Sequence, residues 1–333
     1  MKREGFLIEK TARITVVAPS RAMAVLHELL ECYRQNYDVT LVQYENVLDK
    51  KALYRLCDDT DAHAVLYVTN RRYSPRTLLD GPVITSKSGR KIVVGMIPYV
   101  NDKDLATFAT AASKSHRRHS HKTKSTLPKS VVILSQWSRR YLRLADSLEA
   151  SLQGDQGHEN TAQSYRWTSD HLVREDMVDG LNAGFSMAVY LGHGRSTGWV
   201  GYRGTRTHHF QNANKEWDEP LGALFSLSCE NASRKNTGLS FAESLPLLGV
   251  CAASIGAVGK TQHIDNMRWA LSIGRAISGG ANSVDQVIRS LPCEAKSSLN
   301  IYRVIGDPIA PLTAHPQADK RARTLMSNER KYG

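Results

Sequence analysis

The chain has 333 residues, a formal net charge of +12, 41% hydrophobic residues and 23% charged residues. These values are ordinary for a globular protein with one large domain or two modest ones. No run approaches the roughly 20 apolar residues needed to span a bilayer, and no leader-like apolar segment follows Met1. The sequence therefore excludes a membrane-spanning protein and favours a cytoplasmic location.

The cysteines are odd in number, scattered, and contain no Cys-x-x-Cys pair, which argues against a disulfide framework and a zinc site. They are Cys32, Cys57, Cys229, Cys251 and Cys293. A second possible ligand set, His116, His119 and His121, lies among lysines and arginines whose charge opposes a metal ion. We therefore expect reduced thiols, no metal and no cofactor.

The positive charge is concentrated in two stretches. Residues 114–124, with the sequence KSHRRHSHKTK, contain five basic residues and no acid, and residues 316–333 contain five basic residues and two acids. Nucleic-acid binding is one interpretation of such charge. No stacking aromatics are interleaved with these basic residues, so we interpret them as solvated segments and expect no nucleic-acid partner.

The first third of the chain alternates strand-like and helix-like patterns. Short β-branched apolar runs predict strands, and helix formers with 3.6-residue spacing predict helices. Asn101 is the expected N-cap of the last of these helices, and Pro98 is expected to stop the strand before it. The predicted strands are 12–18, 38–44, 63–69 and 90–100, and the predicted helices are 21–35, 49–59 and 101–114.

The same pattern resumes after residue 130. Three of its apolar runs do not alternate with polar residues, as expected for strands covered on both faces. The predicted strands are 130–136, 164–169, 185–192, 222–229 and 250–258, and the predicted helices are 139–153 and 170–184. Strands that alternate with helices predict an α/β fold with a doubly wound, mostly parallel sheet flanked by helices.

Composition divides the chain into four segments. Residues 1–113 form a predicted N-terminal α/β subdomain, and residues 131–312 form a second α/β unit. Residues 114–130 have no apolar period and are interpreted as a basic, exposed linker. Residues 313–333 form a basic C-terminal tail.

Two reactive side chains follow predicted strands of the second unit. His193 comes after the strand 185–192, and Cys229 ends the strand 222–229. Because ligands bind at the carboxyl ends of parallel strands, both side chains are expected at one edge of the sheet. A cysteine with a histidine is the minimal apparatus for nucleophilic catalysis, and Gly194 leaves an N–H open to an oxyanion. The alternative is an inert core thiol and a structural histidine.

Two other motifs indicate different chemistry. Ser196 lies in a Gly-x-Ser-x-Gly sequence, but the segment after it lacks the helix that a nucleophile elbow requires. The segment 254–261 ends in Gly-Lys-Thr like a phosphate-binding loop, yet Ser254 occupies the position of the first glycine. The simpler interpretation of this second segment is a strand-to-helix turn.

Several motifs resemble those of gingipain-type cysteine peptidases, in the wider caspase-like group (clan CD). The histidine segment is similar to that family's Tyr-x-Gly-His-Gly pattern, with a tryptophan six residues after the histidine. The cysteine is followed by an asparagine, then by a helix with an Ala-Glu pair, a strand and a glycine turn. A Tyr-x-x-x-Gly-Asp-Pro element comes near the end. The residues concerned are Tyr190, Gly192, His193, Gly194, Trp199, Cys229, Asn231, Ala242, Glu243, Tyr302, Gly306, Asp307 and Pro308.

The resemblance spans roughly residues 92–312 and has two departures. Met96 stands where the family has the arginine of a Gly-Arg-x-Pro segment. The first strand of the catalytic half is not followed by the acid that family members often have there, and Asp146 and Asp170 are the other candidates. The resemblance therefore implies a Cys–His dyad and leaves a third catalytic acid open.

The resemblance implies a role for each matching residue. Cys229 would attack the scissile carbonyl, and His193 would protonate the leaving amine and then activate water. The N–H groups of Gly194 and Cys229 would hold the oxyanion. Trp199 would wall the substrate pocket, unless it is a packing tryptophan, and Glu230 would lie beside that pocket. Arg or Lys before the scissile bond is the preference that the family implies.

We therefore expect a cytosolic caspase-like cysteine endopeptidase that cleaves protein substrates, with residues 131–312 as its catalytic domain. A cytosolic protease needs restraint, so we expect activation by cleavage within 114–130. The protein itself or an activating protease would cut there, and an inhibitor protein is a further possible partner. An immunity, stress or cell-death pathway would fit. The alternative is a catalytically silent caspase-like interaction or regulatory module.

Overall fold

A computed structural model describes most of the chain. The described residues are 12–45, 48–72, 79–121, 129–154, 162–211, 217–291 and 300–329. The strands are β1 (Arg13–Ala18), β2 (Asp38–Gln43), β3 (Ala64–Asn70), β4 (Val83–Thr85), β5 (Lys91–Tyr99), β6 (Ser130–Ser135), β7 (Gln163–Thr168), β8 (Met187–Leu191), β9 (Gly194–Arg195), β10 (Gly198–Trp199), β11 (Leu221–Leu227), β12 (Cys251–Ala257) and β13 (Tyr302–Gly306).

The helices connect and flank these strands. They are α1 (Ser20–Val25), α2 (His27–Asn36), α3 (Lys50–Asp59), α4 (Asp102–His121), α5 (Arg139–Gln153), α6 (Arg174–Leu181), α7 (Gly201–Gly204), α8 (Thr207–Phe210), α9 (Phe241–Leu247), α10 (His263–Ser278), α11 (Val284–Ser290) and α12 (Ala318–Glu329). In the described part of the chain, no helix combines the length and the apolar character needed to cross a membrane.

Eleven strands form one sheet in the order β2-β1-β3-β5-β13-β12-β11-β8-β6-β7, with β4 paired to β5. All neighbours in that order are parallel except β12 and β13, which are antiparallel. The prediction of a doubly wound, mostly parallel α/β sheet is confirmed. The antiparallel joint has a consequence for function, because the carboxyl ends of the two halves lie at opposite edges of the sheet.

The core lies on both faces of the sheet. One hydrophobic cluster combines strand residues of both halves with residues of α2, α4, α5 and α10. Two further clusters cover the other face, one under each half. Because the strands are buried on both sides, they lack the apolar–polar alternation of half-exposed strands.

Helix α4 corrects the predicted linker 114–130. The helix begins after Asn101, whose Oδ1 accepts the N–H of Asp104 at 2.9 Å as the expected N-cap, but it continues to His121. His116 is 2% exposed and Arg118 is 7% exposed. Residues 114–121 are therefore a helix with buried polar side chains, and residues 122–128 lie outside the described residues.

Those buried side chains find their partners in distant parts of the chain. Nε2 of His116 lies 2.7 Å from Oδ2 of Asp307. The guanidinium of Arg118 donates to the carbonyls of Gly184, Pro220 and Thr313 at 2.8 to 3.3 Å. A run of polar residues looks exposed in the sequence because these acceptors are 66 to 195 residues away along the chain.

Smaller differences have local causes. Pro98 lies inside β5, paired with Thr69, and the strand continues to Tyr99. The helix predicted from Asp170 begins only at Arg174. The helix predicted over 21–35 is divided at Leu26, between α1 and α2. Strand β4 is too short for its sequence pattern to be recognised.

Candidate active site

The ends of β8 and β11 bring His193 and Cys229 to one edge of the sheet. The two strands are parallel neighbours, and their register pairs Leu191 with Leu227. Each reactive residue comes two positions after its strand's last paired residue. His193 is exposed and Cys229 is half-buried, so a ligand at this edge can reach both.

Direct packing joins the loops that carry these two residues. A Cβ added at Gly194 would lie 2.6 Å from the carbonyl oxygen of Cys229 and 2.7 Å from Oγ of Ser228. Only glycine therefore allows the backbone after His193 to approach the backbone of Cys229 this closely. The N–H of Cys229 has no acceptor among the described residues, which leaves this donor available to a ligand.

Asn231 holds the two loops together. Its side chain is fully buried, and Nδ2 donates to the carbonyls of Arg195 and Gly198 at 3.1 and 3.2 Å. Its Oδ1 accepts the hydroxyl of Ser228. The asparagine after the cysteine therefore fixes the histidine loop against the cysteine loop.

The imidazole of His193 contacts a tyrosine. The hydroxyl of Tyr141, in the first turn of α5, lies 3.3 Å from Nδ1, and the two rings meet edge to face with centroids 5.3 Å apart. Burial raises the pKa of Tyr141, so its hydroxyl stays neutral at neutral pH. The N–H of His193 donates to Oε1 of Gln136 at 2.9 Å. Tyr141 and Gln136 thus fix the ring and the backbone of the histidine.

A buried aromatic cluster supports the loop after His193. Tyr190 stacks on Trp199 with centroids 4.3 Å apart, and its hydroxyl donates to the carbonyl of His193 at 3.0 Å. Nε1 of Trp199 donates to Ser226, and the ring packs on Phe241. Trp199 is only 2% exposed, so its environment is that of a packing tryptophan, the alternative to a pocket wall.

Thr261 flanks the sulfur of Cys229. Its N–H donates to Sγ at 3.4 Å, and its Oγ1 lies 3.5 Å from Sγ. Nδ2 of Asn266 donates to that Oγ1 at 3.2 Å and to the carbonyl of Leu227 at 3.1 Å, and the buried hydroxyl of Tyr302 donates to Oδ1 of Asn266 at 2.7 Å. A chain of hydrogen bonds therefore runs from the core to the sulfur.

Glu230 follows the cysteine in a left-handed conformation with φ of +58°, and its N–H donates to the carbonyl of Gly259. The turn directs the chain away from β11 immediately after the cysteine. The carboxylate of Glu230 has no hydrogen-bond or ion-pair partner within the described residues and is half-exposed. It is the acid adjacent in sequence to the cysteine.

The two acids considered for a third catalytic group are bound elsewhere. Asp146 pairs with Arg166, and Asp170 lies 2.9 Å from Nε2 of His171. Within the described part of the chain, neither carboxylate bonds to His193. In the described part of the chain, Nδ1 of His193 instead meets the hydroxyl of Tyr141.

The two competing motifs have structural roles. The hydroxyl of Ser196 donates to the carbonyl of Lys235 at 2.9 Å, and β10 follows it where an elbow would need a helix. The segment 254–261 begins inside β12, so it forms no phosphate-binding loop, and its last residue is the Thr261 that contacts Cys229. His116 and His119 bond to Asp307 and Thr313, and His121 has no described side chain. The described residues hold no cluster of three or more metal-binding side chains.

The sequence patterns did not identify four of these supporting residues. Tyr141 belongs to the apolar stripe of α5, and Gln136 is the last residue of the predicted strand 130–136. Thr261 was hidden in the apparent phosphate-binding motif. Asn266 lies on a helix that no motif singled out, although Tyr302, its partner, belongs to the closing element of the family pattern.

A cysteine and a histidine on neighbouring strand ends of an α/β sheet are the arrangement of a caspase-like cysteine peptidase. A family model for peptidase family C25 matches residues 79–313. The chain therefore belongs to peptidase family C25, the gingipain family, whose members are cysteine peptidases.

Other comparisons are more distant. No curated protein matches the chain. Among solved structures, it is similar to Saccharomyces cerevisiae separase in its complex with securin, with 14% identity and a TM-score of 0.47 over 73% of this chain. The match spans 15% of the separase chain. An extracellular ligand-binding receptor from Verminephrobacter eiseniae has 10% identity and a TM-score of 0.24, covering 87% of this chain and 92% of that chain.

Proposed function

We propose that the protein is an endopeptidase that uses Cys229 and His193 as its catalytic dyad. The observation that carries the proposal is the matched position of the two residues past the paired ends of β8 and β11, with Gly194 packed on the carbonyl of Cys229. The sulfur of Cys229 is half-buried and the imidazole of His193 is exposed, so a substrate can reach both side chains.

The reaction has two halves. The sulfur of Cys229 attacks the scissile carbonyl carbon, and a C–S bond forms while the C–N bond breaks. The imidazolium of His193 gives its proton to the leaving amine. The neutral imidazole then takes a proton from water, whose oxygen attacks the thioester carbon. The C–S bond breaks, the carboxylic acid leaves, and the thiolate of Cys229 and the imidazolium of His193 are restored. The N–H groups of Cys229 and Gly194 are proposed to hold the oxyanion in both halves.

Two contacts support these roles. The N–H of Thr261 points at the sulfur and stabilises negative charge on it. The hydroxyl of Tyr141 meets Nδ1 of His193 and leaves Nε2 to exchange protons. Tyr141 is thus a positioning residue, in the place where a third acid would stand.

The substrate preference follows from Glu230. Its carboxylate lies next to the nucleophile in sequence and has no partner within the described residues, so it is available to a basic substrate side chain. This arrangement supports the preference for Arg or Lys before the scissile bond. A positional peptide library tests it, and a profile dominated by Asp or small residues removes it. Glu230→Gln should reduce the preference without preventing labelling of Cys229.

The decisive test is covalent labelling with a peptidyl chloromethyl ketone. Wild type should become labelled and Cys229→Ala should not. Cys57→Ala is the matched control, because Cys57 is a buried thiol of the first half whose pKa burial raises to about 12. Equal labelling of wild type and Cys229→Ala would contradict the dyad and favour the catalytically silent interaction module.

Regulation by cleavage is proposed for residues 122–128. The helical residues 114–121 are unsuited to a protease because their backbone is hydrogen-bonded and two of their long side chains are buried. Residues 122–128 contain Lys122 and Lys124, lie outside the described residues and retain the sequence prediction. Gel analysis of wild type beside Cys229→Ala should show self-cleavage in wild type only. Cleavage of both by an added protease would indicate a separate activator.

We propose that the peptidase activity is cytoplasmic.

A further inference from the structure

A second cavity lies at the other edge of the sheet. It has a volume of about 680 Å³, within the range of small-molecule sites. Its lining residues are Pro19, Arg21, Tyr44, Glu45, Thr69, Asn70, Tyr99, Val100, Asn101 and Asp102. They come from the carboxyl ends of four strands of the first half, and the antiparallel joint between β12 and β13 places those ends opposite the edge that carries Cys229.

The connectivity of the first half explains why a cavity forms here. The chain leaves β1 for β2 on one side and then returns to β3 on the other side of β1. The connections after β1 and β3 therefore diverge, and a crevice opens between them. Such a reversal of strand order is where open α/β sheets bind ligands.

One part of the crevice is acidic. Glu45 is exposed and accepts the hydroxyl of Ser20 at 3.0 Å, and Asp102 is 39% exposed and accepts two N–H groups of Arg21. Arg21 is 80% exposed, so it lies at the mouth. The carboxylate of Glu45 has no cation within the described residues. This part of the crevice is suited to an ammonium group.

The adjoining part of the crevice is basic. A smaller cavity of about 360 Å³ adjoins the cavity of 680 Å³ and is lined by Asn70, Arg71, Arg72 and Val100. Asn70 and Val100 line both cavities. Both arginines are exposed, and neither has a carboxylate partner in the described part of the chain. The guanidinium of Arg71 lies beside Gly238, where a Cβ would be 2.9 Å away. A guanidinium with no acid beside it is suited to a carboxylate.

The middle of the crevice contains apolar surface. Tyr44 and Tyr99 are among its lining residues, and Val100 is 45% exposed. Burial raises the pKa of Tyr99, and the Asp102 carboxylate raises it further, so this ring stays neutral. A ligand with opposite charges at its two ends and an uncharged middle fits this order.

From this order of charges we infer that the crevice binds short peptides with free ends. The ammonium end lies at Glu45, the carboxylate end lies at Arg71 and Arg72, and the chain between them crosses Val100. This binding needs neither Cys229 nor His193, so it holds or fails independently of the proposed peptidase chemistry.

The test is calorimetric titration of full-length Cys229→Ala with trialanine. Saturable binding is expected, and acetylating the amine or amidating the carboxylate of the peptide should each weaken it by about tenfold, because each removes one charge-assisted contact. Free alanine should bind more weakly than trialanine, since it lacks the chain that is proposed to cross Val100. No saturable binding, or equal binding of the free and capped peptides, would overturn the inference.

Two variants locate the binding. Glu45→Gln should abolish the preference for a free amine and leave the preference for a free carboxylate, and Arg72→Gln should do the reverse. Glu175→Gln removes an exposed acid on α6 and should change neither preference. These side chains are exposed, so the variants are expected to fold. A peptide preference that survives both Glu45→Gln and Arg72→Gln would place the peptide at the catalytic edge and refute this site.

Discussion

Replacing Tyr141 by phenylalanine removes one atom from the site and leaves the ring in place. The hydroxyl lies 3.3 Å from Nδ1 of His193, and the rings meet edge to face. A hydrogen bond of this kind contributes about 1 kcal/mol net, which corresponds to about a fivefold loss of kcat/KM. Tyr141→Leu also removes the ring contact, worth about 1 kcal/mol more, so its loss should approach about 30-fold.

The losses of both Tyr141 variants are measured as kcat/KM for a fluorogenic peptide at neutral pH. Tyr165→Phe is the matched control, since its hydroxyl bonds Asp319 on α12 rather than a residue of the dyad. Its activity should match wild type. The reasoning fails if Tyr141→Phe keeps wild-type kcat/KM, or if Tyr165→Phe loses as much.

Three further predictions concern the scaffold. Asn231→Ala should lower the free energy of unfolding by about 3 kcal/mol, since it removes three side-chain hydrogen bonds, and should reduce kcat. Asn182→Ala, at the residue just after α6, should lose stability with kcat unchanged in the folded fraction. Gly95→Ala would place a methyl group against Gly306 and Pro308, and should lower the free energy of unfolding measured in urea by roughly 1–3 kcal/mol. Gly259→Ala is the control and should leave stability unchanged, because the nearest atom to its new methyl group is 3.9 Å away. Asp307→Asn removes a buried negative charge that accepts hydrogen bonds, and should lower the free energy of unfolding by about 3 kcal/mol. If Asn231→Ala, Gly95→Ala or Asp307→Asn has the stability of wild type, the contact argued for that residue is contradicted.

The main strands were predictable because burial on both faces leaves an unambiguous apolar run. The run 130–136 became β6, and the helical spacing of 139–153 coincides with α5. The prediction of an exposed linker was wrong for residues 114–121 for the opposite reason. A polar helix face can be buried when groups from distant parts of the chain form hydrogen bonds with it. Composition and periodicity do not reveal such a partner, as with Asp307 for His116.

The site shows the same limit. His193 and Cys229 were predictable because strand ends are marked by their own apolar runs, and the register of β8 and β11 follows from parallel pairing. Tyr141 was not, because its ring satisfies the apolar stripe of α5 while its hydroxyl reaches the histidine. The spacing of apolar residues along α5 predicts that the ring is buried, but it does not predict the contact of the hydroxyl with His193. The side chain thus looks like core, although one of its atoms faces the site.

The closing segment of the chain links both edges of the sheet. Strand β13 is the joint between the half-sheets, parallel to β5 and antiparallel to β12. At its start, Tyr302 supports the hydrogen-bond chain that reaches Cys229, and just after its end, Asp307 receives Tyr33 of α2 and His116 of α4. Helix α4 begins at the second cavity with Asp102. This segment therefore contacts elements that build both sites, and a change that removes the contacts of Asp307 should disturb both.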